Sequence, residues 1–252
     1  MHDILTTIDD YEIKNGFLIY DRGITSSKNV KEAKEKGWAT ICGLPSNDKL
    51  KVITKQNCDK NSLITISNRV KINKSVFYIF ESEYKLGETD GTLLVCHNDQ
   101  KEKDLRESRY DEILNAKELL ASGHEIKEGL QVYFNKNKRI NKVAIAEAEE
   151  FDGFSYIFST KKLPKQKVLE LYFKDKDFVE KAFQSLKGVV GLRPIRHWLY
   201  NRVTAHVFIC YLSYLMLTLL KLKITKLKIS PVEALQELST VYKVYLKDKK
   251  KN

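Results

Sequence analysis

Short apolar runs ended by turn residues, separated by a stretch of helical character, open the readable part of the chain. Phe17-Leu18-Ile19-Tyr20 is such a run, stopped by Asp21-Arg22-Gly23, and it predicts a short buried strand. Ser26 or Ser27 can cap a helix that continues through Lys36, with Gly37 placed as its C′ residue. Trp38 to Leu44 predicts a second strand, halted by Pro45-Ser46-Asn47-Asp48. Two strands joined by a helix are expected to be parallel and covered on both faces.

Between about residues 50 and 150 the pattern changes to short apolar groups with polar turns. Val52-Ile53-Thr54, Leu63 to Ile66, Val76 to Phe80, Leu93-Leu94-Val95, Leu130 to Phe134 and Val143-Ala144-Ile145 all present themselves as strands. One helix, roughly Asp104 to Ser122, interrupts them, with Tyr110, Ile113, Leu114 and Leu120 along one side. The segment therefore reads as a β-rich insertion and not as a continuation of the parallel sheet. After the turn Asp152-Gly153, Phe154–Phe158 predicts a strand, and Pro164 opens a long helix to Lys187 with Gly188 behind it. An apolar helix near 203–220 follows a linker containing Arg193-Pro194. Ser230-Pro231-Val232-Glu233 is a capping box for a last short helix, followed by Val241–Leu246 and a basic tail.

Composition narrows the class. Apolar residues are 42% and charged residues 31% of 252, with 11 Gly and 4 Pro, which excludes a disordered tail or a collagen-like fibre. The formal charge is +11, and its distribution is uneven. Residues 161–252 hold 20 Lys/Arg against 7 Asp/Glu, a net of +13, whereas residues 1–160 carry −2. So concentrated an excess points to a polyanionic partner, nucleic acid or an anionic membrane surface. The apolar run Val207–Leu220 is 14 residues, short of the roughly 20 that a membrane span needs, so a buried core helix is expected and no membrane. The Met1 end has neither a basic start nor an apolar h-region. Cys42, Cys58, Cys96 and Cys210 stand far apart, as reduced thiols do in a cytoplasmic protein. Cys96-His97 has no second pair at zinc-ligand spacing and reads as a packed thiol beside an exposed imidazole.

Two carboxylates stand out by position. Asp21 follows directly on a buried strand, and the carboxyl ends of parallel strands are where α/β sheets gather ligand groups. The alternative is an ordinary turn Asp that caps the next helix. Glu180 shares a helical stripe about 60° wide with Phe173, Lys176 and Lys187. This stripe lies off the edge of the apolar face made by Val168, Leu171, Val179, Ala182 and Leu186. Its alternative is a surface ladder of Glu–Lys pairs.

The order of strand-Asp21, insertion and helix-Glu180 resembles the DDE transposases of bacterial and archaeal insertion sequences. Tyr20-Asp21-Arg22-Gly23-Ile24-x-Ser26 is similar to that family's second-Asp block. The helix resembles the family pattern Tyr-x2-Arg-x3-Glu-x6-Lys, with Phe173 at the Tyr position beside Tyr172, Lys176 at the Arg position, then Glu180 and Lys187. Leu192-Arg193-Pro194-Ile195 and Arg202-Val203-x-Ala205-His206 continue the likeness. It covers about residues 17–45 and 152–245.

The resemblance implies an α/β fold, a partial ribonuclease-H-like core whose mixed sheet has flanking helices. The core is interrupted by the β-rich insertion and followed by a helical C-terminal part. The corresponding divisions are 1–50 (second-Asp β-α-β unit), 51–150 (insertion), 151–228 (core strand, Glu helix, apolar helix) and 229–252 (final helix, strand and tail). It implies DNA cleavage and strand transfer by two Mg²⁺ ions, with Asp21 and Glu180 as ligands and Lys176 and Lys187 completing the catalytic set. Arg22, Tyr172, Phe173, Arg193, Arg196 and Arg202 are the implied DNA contacts, and a homodimer or other self-association accompanies transposition. The family also requires a first Asp on an earlier strand. Roughly 35 residues are needed to reach back to it, and 20 precede Asp21, so an incomplete copy lacking the N-terminal DNA-recognition region is expected. A non-catalytic DNA-binding remnant and another ribonuclease-H-like nuclease are the competing expectations.

Overall fold

Residues 5–8 and 16–241 are described by the computed structural model, apart from the side chains of Asn61, Asp175, Lys176 and Phe178. The described residues fall into two units, the first ending at Lys176 and the second beginning at Asp177.

The first unit is built on one mixed six-stranded sheet, in the order β1-β2-β6-β5-β4-β3. Its strands are β1 (Phe17–Tyr20), β2 (Ala39–Leu44), β3 (Arg69–Ile72), β4 (Ser75–Leu86), β5 (Thr89–His97) and β6 (Phe154–Ser159). β1 and β2 are parallel, with Tyr20 opposite Cys42, as the intervening helix α1 (Ser27–Glu35) requires. Every other pairing is antiparallel.

Period-two alternation sorts the strand side chains onto two cores. Cys42, Leu44, Leu93, Val95, Tyr156 and Phe158 join Val30 of α1 and Leu50 of α2 (Asp48–Asn57) on one face. On the other, Ile41, Ile79, Leu94, Cys96 and Ile157 meet Val168, Leu169 and Tyr172. These last three belong to the start of the long helix α5 (Lys165–Lys187), numbered after α3 (Asp99–Ala121) and α4 (Lys142–Glu149). The central strands are covered on both sides, which is why β2 and β6 read as nearly unbroken apolar runs.

The insertion differs from the sequence expectation in two ways. Its strands β3–β5 continue the sheet of β1 and β2, joined to it through β6. Only Val76–Phe80 and Leu93–Val95 of the six expected groups are strand. Val52-Ile53-Thr54 lies in α2 and Val143-Ala144-Ile145 in α4, because Asn47 and Asn141 cap those helices by accepting from Leu50 N and Ala144 N. Leu63–Ile66 and Leu130–Phe134 are helical turns and their flanks. The expected helix is α3. Arg109 of α3 grips Asp152, just before β6, with two bonds of 2.7 and 2.6 Å, both side chains nearly buried, which fixes the helix to the sheet.

In the second unit, α5 runs on to Lys187, followed by α6 (Tyr200–Ile224) and α7 (Pro231–Ser239). The capping box at Ser230 and Glu233 forms as expected. The expectation of a buried apolar helix does not hold. α6 spans 25 residues and Cys210 is its one buried residue, with Phe208, Met216 and Leu222 all exposed. By length and composition alone, α6 is sufficient to cross a bilayer. The expected strand Val241–Leu246 lies, beyond Val241, outside the described residues.

Candidate functional site

Asp21 is the first residue beyond β1, and a turn closed by Ile24 N to Asp21 O brings the chain back toward α1. The helix is capped by Ser26, whose Oγ accepts from Asn29 N. Capping therefore does not occupy Asp21. Its Oδ1 accepts instead from Arg22 N at 2.8 Å and from the Tyr172 hydroxyl at 3.3 Å. Tyr172 reaches it from α5 across the end of β2, and Gly43 leaves the room. A Cβ at Gly43 would stand 2.4 Å from the Tyr172 oxygen. Burial, then the Asp21 charge, raise the Tyr172 pKa, so this hydroxyl stays a donor.

These residues line a cleft of about 440 Å³ at the carboxyl end of β1. Arg22 and Lys101 supply positive charge to it, and Asp21 is its one carboxylate among the described residues. Lys101 comes from the first turn of α3, in the insertion, and its Nζ donates to Phe154 O at 2.9 Å. Sequence patterning gave no reason to select it. Phe173, a proposed DNA contact, stacks on Phe77 at a centroid distance of 4.7 Å. A larger cleft of about 820 Å³ runs along β4 and β5, lined by Glu81, Glu83 and Asp90 together with Lys85 and Lys162.

The remaining candidates belong to the second unit or its boundary. Glu180 is exposed on α5, and the Lys187 ammonium sits 5.8 Å over the Phe183 ring. The Lys176 side chain lies outside the described set. Arg193, Arg196 and Arg202 are exposed beside Trp198 and Tyr200, with Trp198 98% exposed. Interleaved cations and exposed rings suit a nucleic-acid strand, and Trp198 was not among the expected contacts.

A separate group can hold a metal ion. His97, Asp99 and Glu102 bring their ligand atoms together where β5 passes into α3. The expected exposed imidazole is instead fully buried, because β6 and Gly153 close over it. Its Nε2 lies 2.8 Å from Glu102 Oε2 and its ring 4.8 Å from Phe154. Glu102 is in turn bound by Lys60 and Arg106. Although burial opposes its charge, Lys60 and then His97 hold its pKa below the usual carboxylate value.

Comparisons with protein-family models, curated proteins and solved structures found no match to this chain.

Proposed function

We propose that the chain acts on DNA as a transposase of the DDE class, cutting and joining strands with Mg²⁺ through a ribonuclease-H-like core. One observation carries the reading. Asp21, at the end of a parallel strand, is engaged by Tyr172 of the same helix whose sequence continues into Lys176, Glu180 and Lys187. Tyr172, from the second stretch of the sequence resemblance, thus supports the carboxylate of the first.

Phosphodiester chemistry of this kind needs hard oxygen ligands for divalent ions that activate the attacking oxygen and stabilise the leaving one. Asp21 is exposed and able to provide such a ligand, and Glu180 is the second carboxylate that the sequence resemblance implies. Tyr172 and the Arg22 amide fix the Asp21 carboxylate by donating to Oδ1. Arg22 and Lys101 flank it with charge for a phosphate backbone. Arg193, Arg196 and Arg202 give the second unit exposed cations of its own for DNA, and a second copy of the chain joins during the reaction.

A second reading, DNA binding without cleavage, has support in the single carboxylate of the cleft. Incubation of supercoiled plasmid with Mg²⁺ separates the two. Nicking that is lost in both Asp21→Asn and Glu180→Gln supports the enzyme. Retained DNA binding with no nicking selects the remnant.

A further inference from the structure

We propose that His97 and Asp99 form a site for a borderline transition-metal ion such as Zn²⁺, distinct from the Asp21 cleft, with Glu102 orienting the imidazole. Glu102 is ionised and can only accept, so the 2.8 Å contact makes Nε2 the protonated nitrogen. In the neutral ring, Nδ1 then carries the lone pair. It is buried, makes no hydrogen bond, and lies 3.3 Å from Asp99 Oδ1. A lone pair facing a carboxylate inside a protein is unfavourable unless a positive centre lies between them.

A shared metal ion meets that requirement. With both ligand bonds at about 2.1 Å, a separation of 3.3 Å corresponds to an angle at the ion of about 104°, near the tetrahedral value. Glu102, accepting the other N–H, completes the carboxylate–histidine–metal arrangement by which proteins set the tautomer of a ligating histidine. Lys60 and Arg106 bind the far oxygen, Oε1, and so offset the charge of Glu102 away from the ion. Asp99 is 61% exposed, so water completes the coordination and the ion has a route in.

The position gives the ion a consequence. Asn98, between the two ligands, caps α3 by accepting from Lys101 N at 2.7 Å. An ion bridging His97 and Asp99 therefore fastens the turn that delivers Lys101 to the Asp21 cleft.

Zinc chloride titration of the full chain, read by calorimetry, tests the site, and Co²⁺ absorption reports the coordination geometry. Asp99→Ala is the decisive variant, because an exposed residue at the helix start is removed without opening the core. The wild type is expected to bind one equivalent that Asp99→Ala loses or weakens at least tenfold, with unchanged circular dichroism. His97→Gln should behave likewise where it folds. Stoichiometry and affinity unaltered by Asp99→Ala, or no saturable binding by the folded wild type, would overturn the proposal. Plasmid nicking, which reads the Asp21 cleft, is a separate measurement, so failure of zinc binding and failure of the nicking reading are told apart.

Discussion

At the scale of single residues, the Asp21 cleft depends on how closely groups approach. Gly43 is needed because its missing Cβ is the space that the Tyr172 hydroxyl occupies on its way to Asp21. Gly43→Ala should cost about 1–3 kcal/mol from overpacking, read as a lower urea midpoint. Tyr172→Phe should restore much of that loss in the double variant, since the clashing oxygen is gone. Independent, additive losses would show that the contact is not the reason for the glycine. The buried thiols make a second residue-level prediction. Burial pushes Cys42 and Cys96 up to about 12 and Cys58 to about 11, against roughly 8.5 in an unfolded chain. The unfolded state gives up these protons first, so stability is unaffected below about pH 8.5 and declines as pH rises toward 11 to 12. Tyr20 and Tyr172, raised by burial, act in the same sense. Urea midpoints at pH 7.5, 9 and 10.5 should fall steadily. A flat series would contradict the burial of these groups.

At the scale of elements, β1 is an edge strand of the sheet among the described residues. It sits at one end of the sheet, and among the described residues no strand lies beyond it. The opposite edge, β3, exposes Arg69 and Lys71, charges that discourage further pairing. β1 offers Phe17, Leu18, Ile19 and Tyr20 with no charge. Sedimentation velocity should show concentration-dependent association, reduced by Phe17→Lys at the strand end. A monodisperse wild type at every concentration would contradict pairing through β1. The β1-α1-β2 unit and α5 were legible in the sequence because each combines a length, a period and a cap that agree. The insertion was not. Val52-Ile53-Thr54 and Val143-Ala144-Ile145 are too short for period two and period 3.6 to differ, and the capping Asn47 and Asn141 decided for helix. The burial of α6 was misjudged for another reason, since a run of apolar residues states what a helix is made of and not what covers it.

At the scale of the whole molecule, Asp21 was visible from its place after a strand, whereas Lys101 and His97 were not. Both reach their positions through the antiparallel pairing of β5 with β6, a contact between segments nearly sixty residues apart that no local pattern announces. The positive charge of residues 161–252 should make duplex binding strongly salt-dependent. Alanine at Arg193, Arg196 and Arg202 should then flatten the log–log slope by about 0.9 per phosphate contact removed. The central claim, that Asp21 is a metal ligand for DNA cleavage, is tested most directly by the Mg²⁺-dependent nicking rate of supercoiled plasmid. Wild type and Asp21→Asn are compared at equal DNA occupancy, established by anisotropy. The account predicts nicking by the wild type that requires Mg²⁺ and is lost in Asp21→Asn while DNA binding persists. A plasmid that is bound but never nicked, or nicked equally by both proteins, would contradict it.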